Sequence, residues 1–229
     1  MRVFAISDLH LSINNPKPMD IFGSKWDDYI DKIVYDWGKK IADEDVVLIA
    51  GDISWAMHLE DAMLDLDFIG KLKGKKIMIR GNHDYWWKSI TVLRNVLPKD
   101  FYALQNDCLK FGDIIFCGSR GWMVDSIKDE DKKIFDRELI RIKLSLEQMQ
   151  KIKEEGDRIV LMLHYPPFNY KGENSKVTEL IEEYNVDKVV YGHLHGNKIK
   201  TPLNLKKGKT EYYLTSCDQI NNELVEIII

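Results

Sequence analysis

The chain is poor in cysteine: Cys108, Cys117 and Cys217 stand far apart in 229 residues and form no C-x-x-C pair. That excludes a disulfide framework and a thiolate zinc knuckle, and the three read as reduced core residues. Basic charge is not in excess either, since 33 Lys and Arg face 37 Asp and Glu for a formal net charge of −4. A negative balance argues against wholesale binding to nucleic acid or an acidic membrane, partners that basic surfaces usually meet. No segment approaches the roughly 20 apolar residues of a membrane span, and the N-terminal MRVFAISDLHLS has no signal-peptide core, so the expected location is the cytoplasm. Repeats, low-complexity tracts and linkers are missing too. What is there is a globular composition, 45% hydrophobic and 31% charged, at a length that fits one domain over residues 1–229. Oligomeric state leaves no mark in the sequence.

Apolar periodicity gives the element order. RVFAI (2–6) reads as a strand. From Trp26, the positions Tyr29, Ile30, Ile33, Val34, Trp37 and Ile41 have the three-and-four spacing of an amphipathic helix, with Ser24 as its expected N-cap. VVLIA (46–50) is a continuous apolar run, as expected of a strand covered on both faces. A helix carrying Leu59, Ala62, Met63, Leu66 and Ile69 follows, then KIMIR as a strand and a helix around 87–96. This alternation predicts βαβ units and a parallel sheet. Residues 101–118 change character to short strands with turns at Asn106-Asp107 and Gly112-Asp113, an antiparallel signature. A long helix over about 130–154 comes next, then RIVLML (158–163), a helix through Val177 to Tyr184, and DKVVY (187–191). The C-terminal part reads as strands, TEYYLTS (210–216) and ELVEIII (223–229).

The strands share one property at their carboxyl ends. RVFAIS runs into Asp8-Leu9-His10, VVLIAG into Asp52, KIMIRG into Asn82-His83, IVLML into His164, and VVYG into His193-Leu194-His195. In open α/β sheets, ligands bind in the crevice beyond those ends. Five of the six histidines lie at these exits. Imidazoles mixed with carboxylates and an amide, without thiolate, suit borderline divalent ions such as Mn, Fe or Zn better than Mg or Ca. Seven ligands exceed one tetrahedral site; two ions about 3.5 to 4 Å apart, sharing a bridging carboxylate, would use them all.

The ordered motifs DLH (8–10), GD (51–52), GNHD (81–84), HYPP (164–167) and GHLH (192–195) resemble the signature of the calcineurin-like metallophosphoesterases, and the resemblance spans residues 8–195. It implies a four-layer α-β-β-α sandwich of two mixed β-sheets flanked by helices, and a dinuclear metal-dependent phosphoester hydrolase. By the same resemblance one ion is held by Asp8, His10, Asp52 and His195 and the other by Asp52, Asn82, His164 and His193, with Asp52 bridging. A hydroxide between the ions would attack phosphorus in line, and His83 resembles the family histidine that stabilises or protonates the leaving group. The implied substrate is a small phosphodiester or phosphomonoester. The rival readings are a non-catalytic binding scaffold on the same fold, as in the retromer subunit, and a nuclease.

One departure narrows the substrate. Serine/threonine phosphatases of the superfamily extend the second motif to G-D-x-x-D-R-G, whereas GDISWAM here has Trp55 in place of the second Asp and Ala56 in place of the Arg. A phosphoprotein phosphatase is therefore not expected, and what orients His83 stays open. Arg120, in SRGW, and Arg80 are candidate phosphate contacts, because a guanidinium matches two oxygens at once. Asp84 is expected to support its loop. His58, near Asp52 in sequence, is expected at the start of a helix and not in the site. Trp55, Tyr85, Trp86, Trp87, Trp122, Phe168 and Tyr170 follow site motifs or lie on site-side loops, and core packing is the favoured role for each.

Overall fold

A computed structural model describes residues 1–14, 16–125, 128–169, 171–196 and 199–229. The first sheet is built from four parallel strands, β1 (Val3–Ile6), β2 (Val46–Ile49), β3 (Lys75–Met78) and β4 (Phe101–Ala103). The short β11 (Val225–Glu226) adds to β1 antiparallel, giving the order β11-β1-β2-β3-β4. The second sheet has the order β5-β6-β7-β8-β10-β9. Its strands are β5 (Asp107–Phe111), β6 (Ile114–Ser119), β7 (Arg158–Leu163), β8 (Lys188–Tyr191), β9 (Asn204–Lys207) and β10 (Thr210–Leu214). The inner four are parallel, and β5 and β9 close the two edges antiparallel.

The period-two alternation of each strand sorts its side chains into layers. Val3, Ala5, Val46, Leu48 and Ile77 face Ile114, Phe116, Val160, Met162 and Val190 in a central core between the sheets. The intervening residues Phe4, Ile6, Val47, Ile49 and Met78 point the other way and pack on helices α1 (Tyr29–Lys40), α2 (Leu59–Gly70) and α3 (Ile90–Val96) through Ile33, Trp37, Leu66 and Leu93. On the far side, Cys117, Ile159, Leu161, Val189 and Tyr212 pack on α4 (Asp129–Ile152) and α5 (Lys176–Glu183) through Ile142, Leu146 and Ile181. The protein is thus a four-layer α-β-β-α sandwich. No helix among the described residues is long and apolar enough to cross a membrane.

Several local expectations shift. Ser24 does not cap α1: it opens a one-turn 3-10 helix, Ser24–Trp26, and α1 begins at Tyr29 after Asp28 turns left-handed (φ 50°). The break lets Trp26 lie against the rings of His10 and His195, at 5.7 to 6.0 Å, away from the helix face. Likewise α3 starts at Ile90, with Ser89 as its cap, because the buried Trp86 and Trp87 hold the preceding turn through Asp84 and Gln105. The antiparallel reading of 101–118 holds for β5 and β6; β4 instead continues the first sheet in parallel and β6 pairs in parallel with β7. The edge strand β9, sequence NLKK, has no apolar alternation to announce it, and β11 spans two residues of the expected seven.

The two sheets are joined at their carboxyl ends. Ser7, just past β1, donates its N–H to Thr215 O (2.8 Å), and Cys217 donates to Ser7 O (3.1 Å). This bridge brings the exits of the first sheet beside those of the second.

Candidate metal centre

The loops leaving β1, β2, β3, β7 and β8 deliver Asp8, His10, Asp52, Asn82, His83, His164, His193 and His195 to one rim of the sandwich. Four of these residues have left-handed backbones: Asp8 (φ 60°), His10 (φ 45°), Asp52 (φ 52°) and His193 (φ 71°). For residues other than glycine this costs about 1 kcal/mol or more each and persists where the surroundings enforce it. Here the enforcement is visible: Asp8 N–H donates to Gly51 O (2.9 Å) and His10 N–H to Asp52 O (3.0 Å), locking the two loops together. Gly51, Gly81 and Gly192 sit where a side chain would strike ligand residues. A Cβ on Gly51 would meet His164 Nδ1 at 2.7 Å, and Cβ atoms on Gly81 and Gly192 would overlap the carboxylates of Asp52 and Asp8.

The side chains converge in two groups. Donor atoms of Asp8, His10 and His195 lie within 4.8 Å of one another, and so do those of Asp8, Asp52 and His164. Asp8 is common to both groups, and Asp52 Oδ2 lies 3.4 Å from His164 Nε2 in its own group and 3.9 Å from His10 Nε2 in the other. Asn82 Oδ1 is 2.8 Å from His164 Nε2, and His195 Nε2 is 3.0 Å from Asp8 Oδ1. Ligands bonded at about 2.1 Å and at right angles around one ion stand about 3 Å apart, so these separations fit coordination. His193 lies beside the second group, its ring 5.1 Å from that of His164. The ring atom His10 Nδ1 is buried with no hydrogen-bond partner among the described residues, while Nε2 lies on the side of Asp52. The donor set is nitrogen and oxygen throughout, which suits Mn, Fe or Zn.

Charge in the crevice is balanced by protons in a way that cations could take over. Burial works against ionisation of Asp8 and Asp52, yet the surrounding histidines, His195 for Asp8 and His164 for Asp52, hold both carboxyls below their ordinary range. In return, His164 and His195 are held protonated: burial opposes their charge, but Asp52 draws His164 up to about 9, and Asp8 with Asp218 draws His195 up to about 10. Burial carries His10 and His193 the other way, to about 4, leaving neutral imidazoles. Divalent ions would take over the neutralisation that the two imidazolium protons now supply, releasing those protons on binding.

Supporting residues fix the ligands. The buried carboxylate of Asp84 accepts from the N–H groups of Asp52 (2.9 Å), Ile53 (2.9 Å), Ser54 (3.2 Å) and Gly81 (2.7 Å) and from Trp86 Nε1 (3.0 Å), tying the β2 exit to the β3 exit. Asp52 Oδ1 accepts from His83 N–H (2.7 Å), so its Oδ2 stays turned into the crevice. Asp218 Oδ1 lies 2.9 Å from His195 Nδ1, and Ala50 O lies 2.9 Å from His164 Nδ1. Asp218 is absent from the sequence reading although it follows β10 in TSCD, another strand exit. The exit rule applied to TEYYLTS would have reached it. Tyr165, whose ring is 4.2 Å from that of His193, stands in HYPP at the same kind of exit, whereas Trp26 has no comparable signal.

His83 borders the crevice, its ring 5.6 Å from that of His10. Trp55 packs on both, with centroids 4.5 Å from His83 and 4.7 Å from His10. Arg120 is held to Glu138 (3.3 Å) and over Trp122 (4.7 Å), and with Arg80 it lines a cavity beside the crevice. His58 is exposed at the N-cap of α2. Trp86, Trp87 and Phe168 are core residues, Tyr85 is half-exposed, and Tyr170 lies outside the described residues.

Comparison with known proteins gives the same grouping. The family model described as calcineurin-like phosphoesterase matches residues 1–197. No curated protein matches the chain. Among solved structures, TT1561 of Thermus thermophilus is similar over 99% of this chain and 98% of its own, with a TM-score of 0.60 at 12% identity. A protein of unknown function from Aquifex aeolicus, AQ665, is similar over 98% and 95% of the two chains, with a TM-score of 0.53 at 17% identity. At these identities the two structures establish the fold.

Proposed function

The chain belongs to the calcineurin-like phosphoesterase family, and on that premise we propose that it is a metal-dependent hydrolase of a small phosphodiester or phosphomonoester. The observation that carries this reading is the convergence of two groups of candidate ligands that share Asp8, with Asp52 Oδ2 within 4 Å of both His10 and His164. Asp8, His10, Asp52 and His195 would hold one ion, and Asp52, Asn82, His164 and His193 the other. Bound divalent ions supply Lewis-acid chemistry: they neutralise phosphoryl oxygens and make a water acidic enough to serve as nucleophile near neutral pH.

The rest is the work of the chain's own side chains. Asp84 and Asp218 hold the loops and imidazoles in place before substrate arrives, so little reorganisation accompanies the reaction. His83, wedged between Trp55 and Tyr85 at the rim, would donate a proton to the departing oxygen. Trp55 packs where the serine/threonine phosphatase pattern has a carboxylate, so His83 is held by ring contact, which supports a non-protein phosphoester as substrate. Retention of the whole donor set speaks against a binding scaffold, which has no use for it.

The test is hydrolysis of bis(p-nitrophenyl) phosphate and p-nitrophenyl phosphate with Mn²⁺, after chelation, and in Asp52→Asn and His83→Ala proteins. Turnover should require metal and fall in both variants, with the preferred ester separating diesterase from monoesterase. A protein that binds metal at none of these residues and turns over neither ester would overturn the reading.

A further inference from the structure

Beside the metal crevice, between the ends of β3, β4 and β6, lies a cavity of about 100 Å³ that contains none of the candidate metal ligands. Three guanidinium groups, Arg80, Arg120 and Arg141, line it against one carboxylate, Glu138. Glu138 is 1% exposed and already committed, accepting from Arg141 Nη1 (2.6 Å), Arg120 Nη2 (3.3 Å) and Ser119 Oγ (3.3 Å). Two positive charges are left over. The Nε atoms of Arg80 and Arg120 are buried with no hydrogen-bond partner among the described residues. A buried charged donor without an acceptor costs a few kcal/mol, about 1–3 or more, so such a pair points to an acceptor that is not part of the chain.

The cavity is also tied to the crevice. Arg120 lies flat over Trp122 (4.7 Å), Trp122 packs on Tyr165 (4.9 Å), and Tyr165 on His193 (4.2 Å), so one pair of aromatic rings separates the arginines from a candidate ligand. Arg120 O further accepts from the N–H groups of His164 (2.9 Å) and Tyr165 (3.1 Å), which fixes the backbone of the cavity to the ligand loop.

We propose that this cavity is an oxyanion pocket for a phosphate group other than the one attacked at the metal crevice. The volume is well above the roughly 10–15 Å³ of such space that one water needs, so a tetrahedral anion fits. Planar guanidinium forks match pairs of phosphate oxygens, and three arginines line this one space. The phosphate is either a second phosphate of the substrate or free inorganic phosphate; the first form rests on the hydrolase reading, the pocket itself does not.

Two arms test it. In ¹⁵N-labelled, Zn²⁺-loaded full-length protein, inorganic phosphate is titrated while the arginine side-chain Nε–H signals are followed, those of Arg80 and Arg120 being assigned from Arg80→Lys and Arg120→Lys proteins. Both signals should move together, saturably, as their N–H groups gain acceptors. Signals that stay fixed, or that drift without saturating, overturn the pocket whether or not the protein is a hydrolase. In the second arm, kcat/KM is compared for thymidine 5′-(p-nitrophenyl phosphate) and the same ester bearing a 3′-phosphate. A preference of roughly tenfold for the 3′-phosphorylated ester, the size of one charged hydrogen bond, that shrinks toward unity in Arg80→Met and in Arg141→Met assigns the pocket to substrate. A saturable shift without that preference assigns it to free phosphate. If neither ester is hydrolysed, the hydrolase reading fails while the titration still decides the pocket.

Discussion

Asp218 Oδ1 lies 2.9 Å from Nδ1 of His195, whose Nε2 lies 3.0 Å from Asp8. A carboxylate at one ring nitrogen fixes the tautomer and presents the other nitrogen as the ligand atom. The second oxygen of Asp218 holds Gly196 N–H (2.8 Å) and Gln219 Nε2 (2.7 Å), so the carboxylate cannot swing away. Asp218→Asn should therefore weaken divalent-metal binding by about 10- to 100-fold, measured as competition for Zn²⁺ with a chromophoric chelator, with circular dichroism unchanged. Equal affinity in the two proteins would remove Asp218 from the centre.

The Trp55–His83 contact makes a prediction about leaving groups. His83→Ala should lower kcat by about 10² to 10⁴ for phenyl esters, whose departing oxygen needs a proton, and far less for p-nitrophenyl esters, whose leaving group departs as the anion. Trp55→Ala should show the same selectivity at smaller amplitude, because it loosens His83 without removing it. The ratio of phenyl to p-nitrophenyl rates is the measurement, and equal losses on both esters would point to damage elsewhere in the site.

Gly81 is the test of close approach. A Cβ there would strike both the backbone N and the carboxylate of Asp52, so the β2 and β3 exits could not keep their spacing. Gly81→Ala should lose metal binding together with a melting temperature several degrees lower. Gly112→Ala is the control, since a Cβ at that turn meets nothing within 4 Å although its φ is +59°. That protein should retain metal and show at most the modest cost of a left-handed alanine.

Acid sensitivity should have a contribution far from the centre. The Asp45 carboxylate, 2% exposed, accepts from the N–H groups of Arg2 (2.8 Å) and Ala42 (3.0 Å) and pairs with the Arg2 guanidinium (2.7 Å). Burial pushes this carboxyl upward, but the Ala42 and Arg2 donors outweigh it and hold it below its ordinary 3.8. A carboxyl lowered in the folded state stabilises the fold at pH values above its unfolded value, and that contribution fades as pH falls through the lower folded value. Asp45→Asn should thus be less stable by about 1.5–3 kcal/mol at pH 7, with the gap closing below about pH 4. Urea unfolding at pH 7, 5 and 3 reads it out, and a gap constant across that range would contradict the assignment.

Most of the element order and the crowding of candidate ligands at strand exits follow from local rules in the sequence, and the four-layer sandwich from the family resemblance. Alternating and three-to-four apolar spacing sets each element, and a parallel strand must deposit its carboxyl end on a common rim. Five motifs in the order DLH, GD, GNHD, HYPP and GHLH state the family in the same linear way. Contacts between distant residues left no such trace. Nothing in TSCD pairs Asp218 with His195, 23 positions away. Nothing in SRGW sets Arg120 against Glu138 and Arg80, or replaces a carboxylate partner of His83 by the face of Trp55. Those relations exist once the exits of neighbouring strands stand side by side, β2 beside β3 and β8 beside β10, with the Ser7–Thr215 bond joining the rims of the two sheets. Only then do loops separated by up to two hundred residues share one volume, and burial and charge can act between them.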